Sequence, residues 1–226
     1  NTAQKKFYFQ PKGKLTAEAP GANPVSGYDQ YLSDPAKPVP YTEDVHLRRT
    51  REYMTDDQRF AARRPDVLVY QTEVLSAPIT VTGTVVADLW TSISTSDVDF
   101  VVKVIDVFPD TLQTVENGVP LGGYQMLVRG EIFRGRYRES FETPKAFAPN
   151  TPTNVKFELP DVAHTFLPGH KIMIQVQSSW FPLADRNPQQ FINIYTAKDE
   201  DFVPCTVQLH RNNTHASGVI LPVLQR

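Results

Sequence analysis

Residues 64–110, RPDVLVYQTEVLSAPITVTGTVVADLWTSISTSDVDFVVKVIDVFPD, carry the pattern from which the fold is read. Across 79–89 the apolar residues Ile79, Val81, Val85, Ala87 and Leu89 alternate with Thr80, Thr82, Thr84 and Asp88. A two-residue period sends alternate side chains to opposite faces of an extended chain, so this segment is a strand with one oily and one polar face. The runs 67–75 and 100–108 are equally rich in β-branched and aromatic residues, and Pro65, Pro78 and Pro109 punctuate them. Three successive strands are expected here, and the core is expected to start from them.

Working outward, 124–133 reads as a strand with Met126, Val128 and Ile132 on one face. In 154–159 Val155, Phe157 and Leu159 alternate with Asn154, Lys156 and Glu158, and the strand is expected to end at Pro160. Segment 171–179 places Ile172, Ile174 and Val176 inward, and 205–210 and 218–223 supply the last two strands. The total is about eight main strands with no amphipathic helix of three turns and no internal repeat, which favours an all-β antiparallel sandwich of the jelly-roll type over a doubly wound α/β fold.

Residues 1–45 hold so many prolines and glycines that they read as an extended arm, with KKFYFQPKGKL as a short strand and turn. Tyr28, Tyr31, Pro35, Pro38, Val39 and Tyr41 are its packing anchors. Residues 46–64 are densely charged and read as a solvated loop with a helical turn that reaches towards a partner domain. With 65–226 as the sandwich core, the 226 residues are read as one domain, and the absence of an initial Met as the mark of a segment from a longer protein.

Composition narrows the function classes. A formal charge of -2 leaves no basic excess for nucleic acid and no polybasic segment for an anionic membrane. No run of about 18 apolar residues is present to span a bilayer. The lone Cys205 falls in an expected strand and reads as a buried, inert thiol. It leaves the compartment open, with a bacterial secreted or periplasmic setting preferred to a cytoplasmic one. His46, His164, His170, His210 and His215 form no HxH or HExxH pair, so no metal site and no cofactor is expected. Asp97, Asp99, Asp106 and Asp110 are explained by strand alternation and turns more readily than by calcium. Arg134, Arg136 and Arg138 alternate and either clamp an anion or pair with Glu131, Glu139 and Glu142, the commoner outcome. Asn212-Asn213-Thr214 fits the short glycosylation pattern, and no GxSxG exists to present a serine nucleophile.

The segments SDPAKPVPY (33–41), DDQR (56–59), 64–83, 96–110, RGRYRES (134–140), FLPGHKIMIQVQSSWFP (166–182) and DRNP (185–188) together resemble the C-terminal domain of the X-Pro dipeptidyl-peptidase, cocaine esterase and α-amino-acid ester hydrolase group. The resemblance implies a galactose-binding-domain-like jelly roll attached to an α/β-hydrolase domain with a helical cap. It places the catalytic serine, aspartate and histidine outside this chain. It further implies that the domain walls one side of the substrate pocket with the segment before Asp57-Gln58-Arg59, so Leu47, Arg48 and Tyr53 are the candidate pocket residues. Trp180 and Phe181, two large aromatics in one loop, are the candidate domain-interface anchors, with burial under their own loop as the competing reading.

A reading from a different class is an independent carbohydrate-binding module. It requires exposed aromatics beside Asp, Asn or Arg, and Trp90 and Trp180 are the only tryptophans. A homo-oligomer built through the 1–45 arm is a third reading.

Overall fold

The alternation across 79–89 produces β5 (Ile79–Ile93), the hub of the sheet. The computed structural model describes residues 1–21, 27–48 and 50–225; residues 22–26 of the arm, Arg49 of the charged loop and Arg226 lie outside it. Before the hub come β1 (Thr2–Gln10), β2 (Lys14–Thr16), β3 (Tyr28–Ser33) and β4 (Leu68–Gln71). After it come β6 (Asp99–Val107), the small hairpin β7 (Val115–Glu116) and β8 (Val119–Pro120), β9 (Gln125–Arg134), β10 (Thr153–Phe166), β11 (Lys171–Gln177), β12 (Cys205–His210) and β13 (Gly218–Leu224). One short helix, α1 (Arg59–Ala62), interrupts them.

Eleven strands join in the order β3-β12-β5-β13-β1-β2-β4-β11-β6-β9, with β10 on the other edge of β5. Val81, Val85, Ala87 and Leu89 are buried as the alternation requires. One contiguous apolar cluster joins these residues to Val155, Phe157 and Leu159 of β10 and to Phe100, Val102, Ile172 and Ile174 of β6 and β11. Phe133 of β9 stacks on Phe157 of β10 at 4.8 Å. Distant parts of the sheet therefore face each other across a shared core, consistent with a β-sandwich.

Three expectations change. Val128 packs on the main core while Ile132 packs with Trp180 on the opposite side, so the two do not share one face of β9 as its alternation suggested; the register shift against β6 lies in this strand. The strand read as ending at Pro160 continues to Phe166, because the register shifts between Leu159 and Val162 and Pro160 is left without a ladder partner. A matching shift on β13 surrounds Pro222, and both lie beside Gly83, whose φ of 116° is open to glycine alone among common residues. The region read as an extended arm is woven into the sheet: β1 pairs with β13 and β2, and β3 pairs with β12. Tyr31, Val39 and Tyr41 are buried anchors, whereas Tyr28 stays partly exposed.

Strands β6 and β11 are buried on both faces, which explains their nearly continuous apolar composition. Their inner face joins the main core. Their outer face is covered by residues 39–41, 53–67 and 178–189, segments without strand periodicity, and the candidate site lies on this cover.

Candidate functional site

Segment 38–41 runs beside 179–181. The Phe181 amide donates to Val39 O at 3.0 Å, the Tyr41 amide to Phe181 O at 2.9 Å, and the Val39 amide to Ser179 Oγ at 2.8 Å. Three aromatic rings stack outward from this seam. Tyr41 meets Tyr53 at 5.6 Å, and Tyr53 meets the Trp180 indole edge-on at 5.7 Å. The Thr50 amide donates to Tyr41 Oη at 3.1 Å, so the charged loop is rooted at both ends of a short excursion. At its tip Val45 and Leu47 are fully exposed, at 100% and 105% of their reference surface, and Arg48 is exposed beside them.

An apolar cleft of about 340 Å³ opens between Tyr53, Met54, Trp180 and Leu183 and the edge strand β9 at Leu127 and Ile132. A polar cleft of about 430 Å³ adjoins it through Ile132 and Ala184 and is lined by Asp99, Arg134, Asp185 and Tyr195. The polar wall is a buried network that ties loop 185–193 to the start of β6. Arg136 Nε donates to Asp97 Oδ2 at 2.7 Å, and Arg134 Nε donates to Asp99 Oδ1 at 3.1 Å. Asn187 Nδ2 donates to both carboxylates, at 3.0 and 2.7 Å, and Arg134 Nη2 also reaches Asp185 at 2.9 Å. Burial pushes the Asp99 carboxyl up to about 6, against the opposing pull of Arg134 and Asn187. Burial also works against the Arg134 charge, but Asp99 and Asp185 overcome it and hold its pKa above that of an ordinary arginine.

The residues singled out in the sequence divide clearly. Tyr53 and Trp180 are brought together, whereas Leu47 and Arg48 stand away from them at the exposed tip. Trp180 is only 5% exposed and is covered by this domain's own atoms, while Phe181 beside it presents 37% of its surface. Trp90 is half-buried against His215 at 4.6 Å, so neither tryptophan forms the exposed platform that sugar binding would require of it. Arg134 and Arg136 pair with aspartates 35 and 39 residues away rather than with the neighbouring glutamates, and Arg138 donates to Lys145 O and Ala146 O. Glu139 pairs with Lys145 at 2.9 Å and also lies 3.9 Å from Arg138 Nη2, a contact of the expected arginine–glutamate kind. Asp106 accepts from His164 and His170, each at 2.8 Å, and among the described residues no group of three or more His, Cys, Asp or Glu is arranged to hold a metal ion.

Sequence reasoning missed Val45 and Met54, although apolar residues inside a charged run were the available signal. It also missed Lys103, for which the available signal was a single charge inside the apolar run 100–105.

Residues 1–219 match the family described as the X-Pro dipeptidyl-peptidase C-terminal non-catalytic domain. Cocaine esterase from Rhodococcus sp. (strain MB1 Bresler) is 36% identical over 232 residues, covering 100% of this chain and 38% of the esterase. An aminopeptidase from the marine sediment archaeon Thaumarchaeota archaeon superposes with a TM-score of 0.90 at 44% identity, over 99% of this chain and 37% of its own. An α-amino acid ester hydrolase superposes with a TM-score of 0.91 at 44% identity, over 98% of this chain and 36% of its own. The chain thus spans little more than a third of the length of these relatives.

Proposed function

The chain belongs to the family of X-Pro dipeptidyl-peptidase C-terminal non-catalytic domains, and from that premise we propose that it serves a serine hydrolase acting on esters or amides by packing on an α/β-hydrolase domain and walling its substrate pocket. The observation that carries this reading is the loop tip. Val45 and Leu47 offer their whole apolar surface to water from a loop whose root is pinned by Tyr41, Tyr53 and Trp180. Exposing two large aliphatic side chains on a firmly rooted loop has no benefit for the isolated domain, and burying them against a partner recovers about 1.5–3 kcal/mol for each. Arg48 beside them adds an exposed cation at the pocket rim, and Tyr53 and Met54 form its inner wall. Phe181, with its exposed edge, is the interface anchor of this reading, and Trp180 supports Tyr53 from behind.

The chemistry of such an enzyme, acylation of a serine and then hydrolysis, is supplied by the hydrolase domain. This domain contributes geometry: it orients substrate and excludes water. Hydrolysis of p-nitrophenyl acetate and of an α-amino-acid ester should be compared between this chain and the longer polypeptide in which it works. Only the longer polypeptide is expected to turn over. Within it, Leu47→Ala is expected to lower kcat/KM about tenfold or more, the scale of one lost apolar pocket contact. Turnover by this chain alone would overturn the non-catalytic role, and an unchanged kcat/KM in Leu47→Ala and Arg48→Ala would remove the pocket wall.

A further inference from the structure

Lys103 stands in the middle of β6 with its side chain fully buried. Its Nζ donates to Gln58 Oε1 at 2.9 Å and lies over the rings of Trp180 and Phe60, 5.1 and 5.7 Å from their centroids. Gln175 of β11 and Gly130 of β9 are its register neighbours. A glycine is needed at 130, because a Cβ there would come within 2.8 Å of the Trp180 indole. The indole therefore rests in a gap on β9 and closes over the amine.

The surroundings are uncharged. Gln58, Gln175, Phe60 and Trp180 carry no charge, and the charged residues on the same elements are engaged elsewhere. Asp57 pairs with Arg59, Arg129 donates to Asp161 O, Glu131 accepts from the Ile132 amide, and Asp99 and Asp185 hold Arg134. Among the described residues Nζ has a single acceptor, although an ammonium offers three donors. An ammonium so poorly solvated is costly to keep under cover, and its burial lowers the Lys103 pKa to about 7.

Resting on the reading of residues 43–55 as a pocket wall, we propose that Lys103 is the positioning residue that sets how firmly this wall is held. A neutral amine lets the Trp180 indole close and carry Tyr53, and a protonated one favours lifting of the cover so that water reaches it. The coupling is mechanical, since one indole touches both Lys103 and Tyr53. Attraction of the cation to the two rings opposes the opening but replaces only part of the lost hydration.

The sign follows from linkage. The amine titrates near 7 under the closed cover and near the ordinary lysine value of about 10.4 when hydrated. Opening therefore becomes about tenfold more favourable for each pH unit lost between about 10 and about 7, and levels off below that. Hydrogen exchange on the 226-residue chain reads this directly. The Gln58 amide ties the cover to β9 by donating to Gln125 O, and the amides of Ala62, Tyr41 and Phe181 donate to partners within the cover.

After correction for the intrinsic rate, their protection is expected to fall about tenfold from pH 8.5 to 7.5 and to flatten below about 7, while remaining lower than that of β5. Lys103→Met should abolish the pH dependence at the high-protection level, and Lys103→Arg should abolish it at the low level. If the variants do not fold, the side-chain NMR titration of Lys103 in the unmodified chain replaces them, with a midpoint near 7 expected. Protection that is flat with pH, the same slope in Lys103→Met, or a Lys103 midpoint near 10 would each overturn the proposal. None of these readouts involves hydrolysis, so failure of the pocket wall appears separately in the Leu47→Ala enzyme.

Discussion

Asp97→Ala is expected to destabilise the chain by roughly 3–5 kcal/mol, because it leaves the Arg136 guanidinium buried without its counter-charge. Asp97 is wholly buried and Arg136 is 8% exposed, so water cannot take over the lost contact without opening the structure. Arg136 also donates to Ile192 O at 2.8 Å and Gln190 O at 3.2 Å, and Asn187 loses one of its two carboxylate acceptors. Loop 185–193 is therefore expected to detach along with the charge pair. Equilibrium unfolding in urea gives the free energy, and a fall in Tm of roughly 10 °C accompanies it for a chain of this size. Asp97→Ala/Arg136→Met, which removes both charges, should recover part of the loss. A loss below about 1 kcal/mol in the single variant would mean that Arg136 finds another partner and that the network does not hold the loop.

Trp180→Ala is expected to cost a similar amount, about 3–5 kcal/mol, for a different reason. The indole fills the gap over Gly130, covers Lys103 and supports Tyr53, so its removal opens a cavity at the root of the loop that carries Val45 and Leu47. Limited trypsinolysis should then cut faster after Arg48 and Arg51, as the loop loses its inner anchor. Phe181→Ala, at the adjacent residue, is expected to stay within about 1 kcal/mol in the isolated chain because so much of the ring already faces water. In the longer polypeptide the contrast should reverse in kind: under the proposed packing, Phe181→Ala should weaken attachment to the neighbouring domain while leaving this domain's own unfolding unchanged. If Trp180→Ala proved as mild as Phe181→Ala, the aromatic column would be an incidental contact and the loop would be held by its backbone alone.

Much of the fold was legible in the sequence. The two-residue period across 79–89 survives as the burial pattern of β5, and the runs starting near 67, 100, 124, 171, 205 and 218 all became strands. Strand periodicity is a local property of the backbone, so neighbouring residues are enough to show it. Pro160 misled for the same reason. The rule that proline ends a strand is local, whereas the bulge that absorbs it depends on Gly83 on another strand. The quoted motifs also carried the family, because their order along the chain requires no knowledge of their partners.

Other features required the tertiary structure. The motifs around Asp97, Arg134 and Asn187 are separated by tens of residues, and nothing local distinguishes an arginine that will meet a buried aspartate from one that will meet a neighbouring glutamate. Lys103 is the sharpest instance: it is the single charge inside the apolar run 100–105, and nothing local shows what covers it. It becomes a buried amine only because residues 39–41, 53–67 and 178–189, which have no periodicity of their own, fold over the outer face of β6. By itself the sequence determined the main strands from residue 67 onward, the absence of a serine-nucleophile turn and the family. Only the folded chain decided which charges are paired, which aromatics are covered and which side chains reach out. Those outcomes depend on contacts between distant segments, and burial is a property of the assembled surface rather than of any stretch of sequence.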